Sequence, residues 1–320
     1  MNLALIGYGS VGKAFARLLE KKHSQYPFRI VAIHTARQGT AYGPHGLPVD
    51  PKFGPKAASI EEFLDRSQAE VVFEVSALNP STGEPAISHI RAAFARGLSV
   101  VTANKGPIAH AWPALEQEAR MAGVPFRFEA TVMDGAPVFS FVRETMPGIS
   151  ISGFTGVLNS TTGVILQAME EGKSFEEGVE IARRMGITEA DPSFDTDGWD
   201  AAAKTAALAN VLMNARCTPM DVDTKGITRI TPEKMAELKA KGKTIRLVSR
   251  GHQGKDGLKM RVRAEVLEAT DTLATARGTS NILLLETDCM GTLGIFESNP
   301  GVEQTAYGLF SDLVDIAKTI

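Results

Sequence analysis

The chain has 320 residues and a net charge of −3, with 34 lysines and arginines against 37 aspartates and glutamates. That length is about twice a usual single domain and leaves ample apolar material for one large core or two moderate ones, while the dispersed charge gives no basic stripe and excludes nucleic acid as an expected partner. Cys217 and Cys289 stand too far from other ligands for a disulfide framework or a zinc site and read as ordinary buried thiols; with no leader and no apolar run of roughly 18 residues, no membrane is implied and a cytoplasmic, soluble protein is expected.

The apolar run NLALIG stops at glycine and is followed by SVGKAFARLLEKKH, where Val11, Ala14, Phe15, Leu18 and Leu19 recur at helical spacing. This predicts strand, turn, helix. FRIVAIHTA (28–36) reads as a strand covered on both faces, and a loop rich in glycine and proline follows. SIEEFLD starts a helix with Ser59 and Glu62 as a capping box, and EVVFEVSA (70–77) is the next strand. Helix EPAISHIRAAFARG, strand LSVVTA, helix PALEQEARMAG and strand PFRFEA (125–130) continue an alternation that predicts an α/β, doubly wound parallel sheet, the Rossmann arrangement. From about residue 149 the segments lengthen. ISISGFTGVLN is a strand, TTGVILQAMEEG and SFEEGVEIARRMG are helices, and WDAAAKTAALANVLMN is another. KTIRLVSRGH, KMRVRAEVL and SNILLLETD are strands of an antiparallel or mixed sheet, and VEQTAYGLFSDLVDIAKT closes the chain as an amphipathic helix. A second, α+β domain is expected there.

Gly7, Gly9 and Gly12 in GYGSVG match G-x-G-x-x-G between a strand and a helix, the context in which the pattern has physical meaning. The first glycine permits the turn, the second lets a pyrophosphate approach, and the third lets helix and strand pack closely. Ser10 and Val11 stand in the helix's first turn, whose N–H groups are free to meet phosphate. The bland alternative is a merely tight turn. The second strand ends in IHTARQ, without the acid that bonds the ribose of NAD, and Arg37 just beyond can accept a 2′-phosphate. NADP is therefore expected, with NAD as the alternative.

VVTANKGPIA puts Asn104 and Lys105 just past a parallel strand, at the edge where such sheets bind ligands, although a strand-end lysine is commonly just solvated. In EADPSFDTDGWDAAAK, Glu189, Asp191, Asp195, Asp197 and Asp200 precede the single Lys204. With a helix starting near a capping Asp197, Asp200 and Lys204 share one face, a surface pair worth only about 0.2–0.5 kcal/mol. That account leaves the crowding of like charges unexplained. A bound ammonium group would supply the missing cation, with Lys204 oriented by Asp200 for proton transfer.

Taken in order, IGYGSVG, GLSVVTANKG, FEATVMDGAPV, GVLNSTTGVIL, EADPSFDTDGWDAAAK and TAYGLFSDLVDIA resemble the homoserine dehydrogenases over nearly the whole chain. The resemblance implies a nucleotide domain of residues 1–130 plus 303–320, and a substrate-binding, catalytic and dimerisation domain of residues 131–302. It implies NAD(P)-dependent interconversion of L-homoserine and L-aspartate 4-semialdehyde, within threonine and methionine biosynthesis, by a homodimer. Lys105 and Lys204 correspond to the lysines that handle the reacting hydroxyl and its proton, with Asp200 beside Lys204. Thr161, Glu189, Asp195 and Asp200 correspond to the substrate shell, and Gly301 to a late glycine near the cofactor. A monovalent cation such as Na+ is implied at Glu129, Val132, Asp134 and Ala136.

The sequence departs from the family pattern at Asp134, an acid where the family has a small residue, and in two further places. The family's N-G-T-x-N-Y stands here as Asn159-Ser160-Thr161-Thr162-Gly163-Val164, and its G-x-G-A-G as ESNPG, with Glu297 and Asn299 in place of two glycines. These departures keep two alternatives open: a dehydrogenase for another small hydroxy amino acid, and a nucleotide-binding paralogue with impaired catalysis. The ending at Ile320 implies a short form without a regulatory domain. None of the six histidines has a catalytic partner at recognisable spacing, and Trp112 and Trp199 read as packing residues, Trp199 also shielding the acids from water.

Overall fold

The computed structural model describes residues 1–188 and 191–319 and divides into two compact units, Met1–Ser140 with Gly301–Ile320 and Phe141–Pro300. In the first, β1 (Asn2–Ile6), α1 (Ser10–Lys22), β2 (Arg29–Thr35) and β3 (Gly39–Tyr42) lead to α2 (Ile60–Ser67), β4 (Val71–Glu74), α3 (Ala86–Phe94), β5 (Ser99–Thr102), α4 (Lys105–Ala122) and β6 (Phe126–Arg127). The sheet order is β3-β2-β1-β4-β5-β6. Every pairing from β2 to β6 is parallel, and only β3 runs antiparallel, to β2. The loop expected after β2 thus contains an edge strand, which Gly39, at φ +102, allows to double back against Thr35.

Because β2 lies on one side of β1 and β4 on the other, the carboxyl ends of β1 and β4 flank a topological switch point, where open α/β sheets bind ligands. Leu3, Leu5, Ile33, Phe73 and Val101 are fully buried between the helices, and Phe15 of α1 lies 4.5 Å from Phe73. The closing helix (Val302–Ala317) inserts Ala306, Leu309, Leu313 and Ile316 into this core at helical spacing. Each such large side chain contributes about 1.5–3 kcal/mol by burial.

Two expected elements differ. The helix expected from Pro113 instead begins at Lys105, because the Asn104 side chain accepts the Gly106 N–H as an N-cap and the helix runs on through Pro113. The strand expected over 125–130 stops at Arg127. Glu129 turns inward, its N–H donating to Asp312 and its carboxylate accepting the N–H groups of Val138, Phe139 and Ser140. These bonds tie the segment to the first unit, which runs to Ser140, whereas the resemblance implies a boundary at 130 and the rhythm of the sequence changes only near 149.

After α5 (Phe139–Thr145), the second unit contains β7 (Ile151–Val157), α6 (Ser160–Glu170), α7 (Phe175–Arg184), α8 (Ser193–Thr196), α9 (Trp199–Leu212), β8 (Asp223–Thr224), α10 (Pro232–Ala240), β9 (Lys243–Gly254), β10 (Gly257–Glu268), β11 (Asn281–Thr287) and β12 (Gly291–Glu297). Its sheet, β12-β11-β7-β9-β10-β8, is antiparallel except for the β10–β8 pair. The α+β class is as expected. Beyond expectation are α10 and the short β8, and β12, which alternates exposed and half-buried residues.

Candidate active site

In the first unit the glycine turn takes the shape its residues require. Gly7 has φ +98, and a Cβ there would lie 2.4 Å from the carbonyl oxygen of Val75, so only glycine lets the loops after β1 and β4 meet. A Cβ on Gly9 would meet nothing within 4 Å, leaving open space over the start of α1, where no side chain caps the helix. Gly12 approaches the Tyr8 ring. Ser10 is exposed and Val11 half-buried in that first turn. A loop open at its second glycine before an uncapped helix N-terminus fits a dinucleotide pyrophosphate. At the end of β2, His34 and Thr35 replace the ribose-binding acid, and Arg37 is exposed.

Two loops along, Asn104 is buried: its amide donates to the Ser76 carbonyl and its N–H to Thr102, so the turn carrying half-buried Lys105 is fixed to the loop after β4. The sequence reading missed Glu74, the last residue of β4. It is fully buried; one carboxylate oxygen contacts Ser76 and lies 3.3 Å from His89, and the other has no hydrogen-bond partner among the described residues. No spacing rule links residues 74 and 89, so nothing local signals this contact. Burial lowers the pKa of neighbouring His34, as do the charges of His89 and Lys56.

The residues associated with a cation are engaged within the protein. The Glu129 carboxylate is taken by three N–H groups, and the Ala136 carbonyl accepts from Val138. Asp134, at φ +47, accepts the Thr305 hydroxyl, and Val132 is buried. Among the described residues no group of three or more His, Cys, Asp or Glu is arranged to hold a metal. Gly301 begins the closing helix, its N–H donating to the Gln304 side chain.

The second unit brings the acids and Lys204 to the turn between β7 and α6. Lys204 donates to the Leu158 carbonyl at 2.6 Å and lies 3.6 Å from Asp200. The next residue, Asn159, donates its amide to Asp195 at 2.7 Å and Asp200 at 2.9 Å. Thr188 adds a hydroxyl to Asp195, and the Thr161 hydroxyl reaches both Asp195 and the Ile187 carbonyl. Burial, and then the charge of Asp200, push the Asp195 carboxyl above the ordinary carboxylate range, while the Asn159 and Thr161 hydrogen bonds and Lys204 oppose that rise.

The five acids do not act as one cluster. Asp195 and Asp200 turn inward, whereas Asp191 and Asp197 are exposed; Glu189 lies outside the described residues. Asp197 does not cap α9. Gly198, at φ +92, occupies that position, because the chain breaks between α8 and α9 where the Thr196 carbonyl accepts the Ile227 N–H. Gly226 makes this possible, since a Cβ there would lie 1.9 Å from that same carbonyl oxygen. Trp199 is 37% exposed. The two cysteines also differ from expectation: Cys289 is exposed, and half-buried Cys217 is an inert thiol whose pKa burial pushes up to about 11.

The family departures have local reasons. Gly163 underlies the Gly278 carbonyl, 2.3 Å from where a Cβ would stand, so no side chain fits there. Asn299 takes the left-handed conformation, φ +48, that asparagine tolerates best after glycine, and Glu297 is the last residue of β12, paired with Asn281.

Residues 7–129 match the family model described as "Homoserine dehydrogenase, NAD binding domain", and residues 137–314 match "Homoserine dehydrogenase". The chain is 36% identical to a homoserine dehydrogenase of Methanocaldococcus jannaschii, over 99% of this chain and 98% of that one. It is 32% identical to an NAD(+)-dependent homoserine dehydrogenase of Pseudomonas canavaninivorans, over 98% and 96%. The structure of a hyperthermophilic archaeal homoserine dehydrogenase in complex with NADPH superposes with TM-score 0.84 at 27% identity, covering 100% of this chain and 98% of that one. With both regions matched and near-complete relatives above 30% identity, the chain belongs to the homoserine dehydrogenase family.

Proposed function

We propose that this enzyme interconverts L-homoserine and L-aspartate 4-semialdehyde, with NADP as the preferred nicotinamide cofactor. The observation that carries this reading is the paired arrangement of Asp195, Asp200 and Lys204 around one turn: among the described residues two inward acids stand with one lysine, an arrangement that suits a substrate bearing an ammonium group. Gly7, Gly9, Ser10, Val11, Gly12, Asn104 and Gly301 would hold the dinucleotide, which when bound exchanges a hydride with the alcohol carbon. The absence of an acid at the end of β2 and the exposed Arg37 support NADP, as does the NADPH in the archaeal relative; the Pseudomonas relative is named for NAD.

Lys204, held by Leu158 and Asp200, takes the hydroxyl proton during oxidation and returns it to the aldehyde oxygen during reduction, its charge stabilising the developing alkoxide. Lys105 is the second cation assigned to this traffic. Thr161 and Asp195 belong to the substrate shell, and Glu189 is assigned there on the family pattern alone. The Glu129 and Asp134 carboxylates are engaged within the protein, so a monovalent cation would rest on backbone carbonyls, and no step is assigned to it. A homodimer, the family expectation, is tested by size-exclusion chromatography with light scattering.

A second reading, another small hydroxy amino acid as substrate, is favoured by the excluded side chain at Gly163. Initial rates with homoserine and a panel of hydroxy amino acids, each with NADP and NAD, separate the two. Homoserine with NADP is expected to give the highest kcat/KM; a tenfold advantage for another substrate would replace it.

A further inference from the structure

The β7–α6 turn does more than orient Lys204. We propose that Asn159 is a positioning residue that holds Asp195 and Asp200 side by side, by donating one amide hydrogen to each. The inference deepens the reading of this site given above and rests on it.

Asn159 is 4% exposed, and its side chain can be oriented in only one way. Its oxygen accepts the Thr162 N–H at 2.8 Å, capping α6, so the amide nitrogen must face the two acids. Both amide hydrogens are then used, one on Asp195 and one on Asp200. Among the described residues, the charges acting on Asp195 are Asp200 and Lys204, both on α9. The other neighbours are neutral: Asn159 and Thr161 from the turn and α6, and Thr188 from the segment before α8.

Two carboxylates that share one small donor repel, and burial favours the neutral form of either. One lysine, 3.6 Å from Asp200, sits nearer one acid than the other. A fixed neutral donor that meets both acids lowers the repulsion without supplying a positive charge that would exclude the substrate ammonium. Lysine or arginine at position 159 would hold the acids more strongly but compete with the substrate for them. Asparagine holds them without adding a charge.

The test is a pair of variants that both retain the helix cap. Asn159→Ser keeps an oxygen for Thr162 and loses the amide; Asn159→Asp keeps the shape and adds a third acid. The pH profile of kcat/KM for homoserine should fall by roughly tenfold or more at its acid end and recover as pH rises, more severely in Asn159→Asp. Carbon-13 NMR titration of the Asp195 carboxyl, assigned through Asp195→Asn, should move to higher pH in both variants. That readout needs no turnover, so it still tests the inference if homoserine proves not to be the substrate. Equal loss of kcat/KM at every pH, or an unmoved Asp195 titration in a variant whose circular dichroism is native, would overturn it. If Asn159→Asp fails to fold, Asn159→Ser decides.

Discussion

The second unit buries two groups of charged side chains that are built on opposite principles. Around Glu170, at the end of α6, Arg246 lies 2.7 Å away with only 2% of its side chain exposed, and Arg277 and Thr244 complete the shell. Arg246 also donates to the carbonyls of Ile245, Ala274 and Ala276. Both Glu170 carboxylate oxygens and the buried Arg246 guanidinium face fixed partners from the same unit, with Arg277 at the exposed rim. At the other end of α6, Asp195 and Asp200 face one lysine, one amide and the hydroxyls of Thr161 and Thr188. The first cluster is closed and holds loops and strands together. Among the described residues the second sets two acids against one lysine, an imbalance that costs stability and is useful only if something else supplies the cation. Buried charge therefore marks function here only where the local sum does not balance.

The comparison breaks most sharply at Lys204. Lys204→Ala should lower kcat by roughly a thousandfold while leaving dinucleotide affinity, measured by fluorescence titration, unchanged. Turnover within tenfold of the wild type would remove Lys204 from the chemistry.

Glu170→Ala should have the opposite profile. Removing the counter-charge of a buried arginine should cost about 3–5 kcal/mol in urea unfolding, with kcat/KM retained in the folded fraction. The sign with pH follows from the carboxyl itself. Burial disfavours its ionised form, but Thr244, Arg246 and Arg277 outweigh that and hold it below the ordinary range. Its contribution is thus fully present above the unfolded pKa and lost as pH falls through the lower folded one. The gap between wild type and Glu170→Ala should begin to close as pH falls below about 4, the ordinary range for a glutamate, and close fully only below the lower folded pKa; a gap unchanged with pH would place Glu170 outside this network.

The smallest effect tests the unbalanced cluster. The folded protein holds the Asp195 proton more tightly than the unfolded chain, so ionising this acid costs stability as pH rises from the ordinary carboxylate range through its folded pKa. Asp195→Asn should therefore raise the melting temperature by roughly 2–4 °C at pH 7, with no gain at acid pH and with reduced turnover. A lower melting temperature at pH 7 would mean that the pair is already compensated.

Local chemistry made much of this legible. The glycine turn, the helical spacing of Val11 to Leu19, and the Asp200–Lys204 pair four residues apart depend on neighbours within a turn or two, and these stand as read. Sequence also carried the family, because its motifs recur in fixed order. What it could not carry was burial. Five acids in one stretch look alike until the fold turns Asp195 and Asp200 toward Asn159, 36 and 41 residues earlier in the chain, and leaves Asp191 and Asp197 in solvent. The break before α9 likewise depends on Gly226 and Ile227, which reach back to Thr196. Backbone preference and residue spacing belong to the chain itself; which charges lose their water, and which donors replace it, is decided only when distant segments pack.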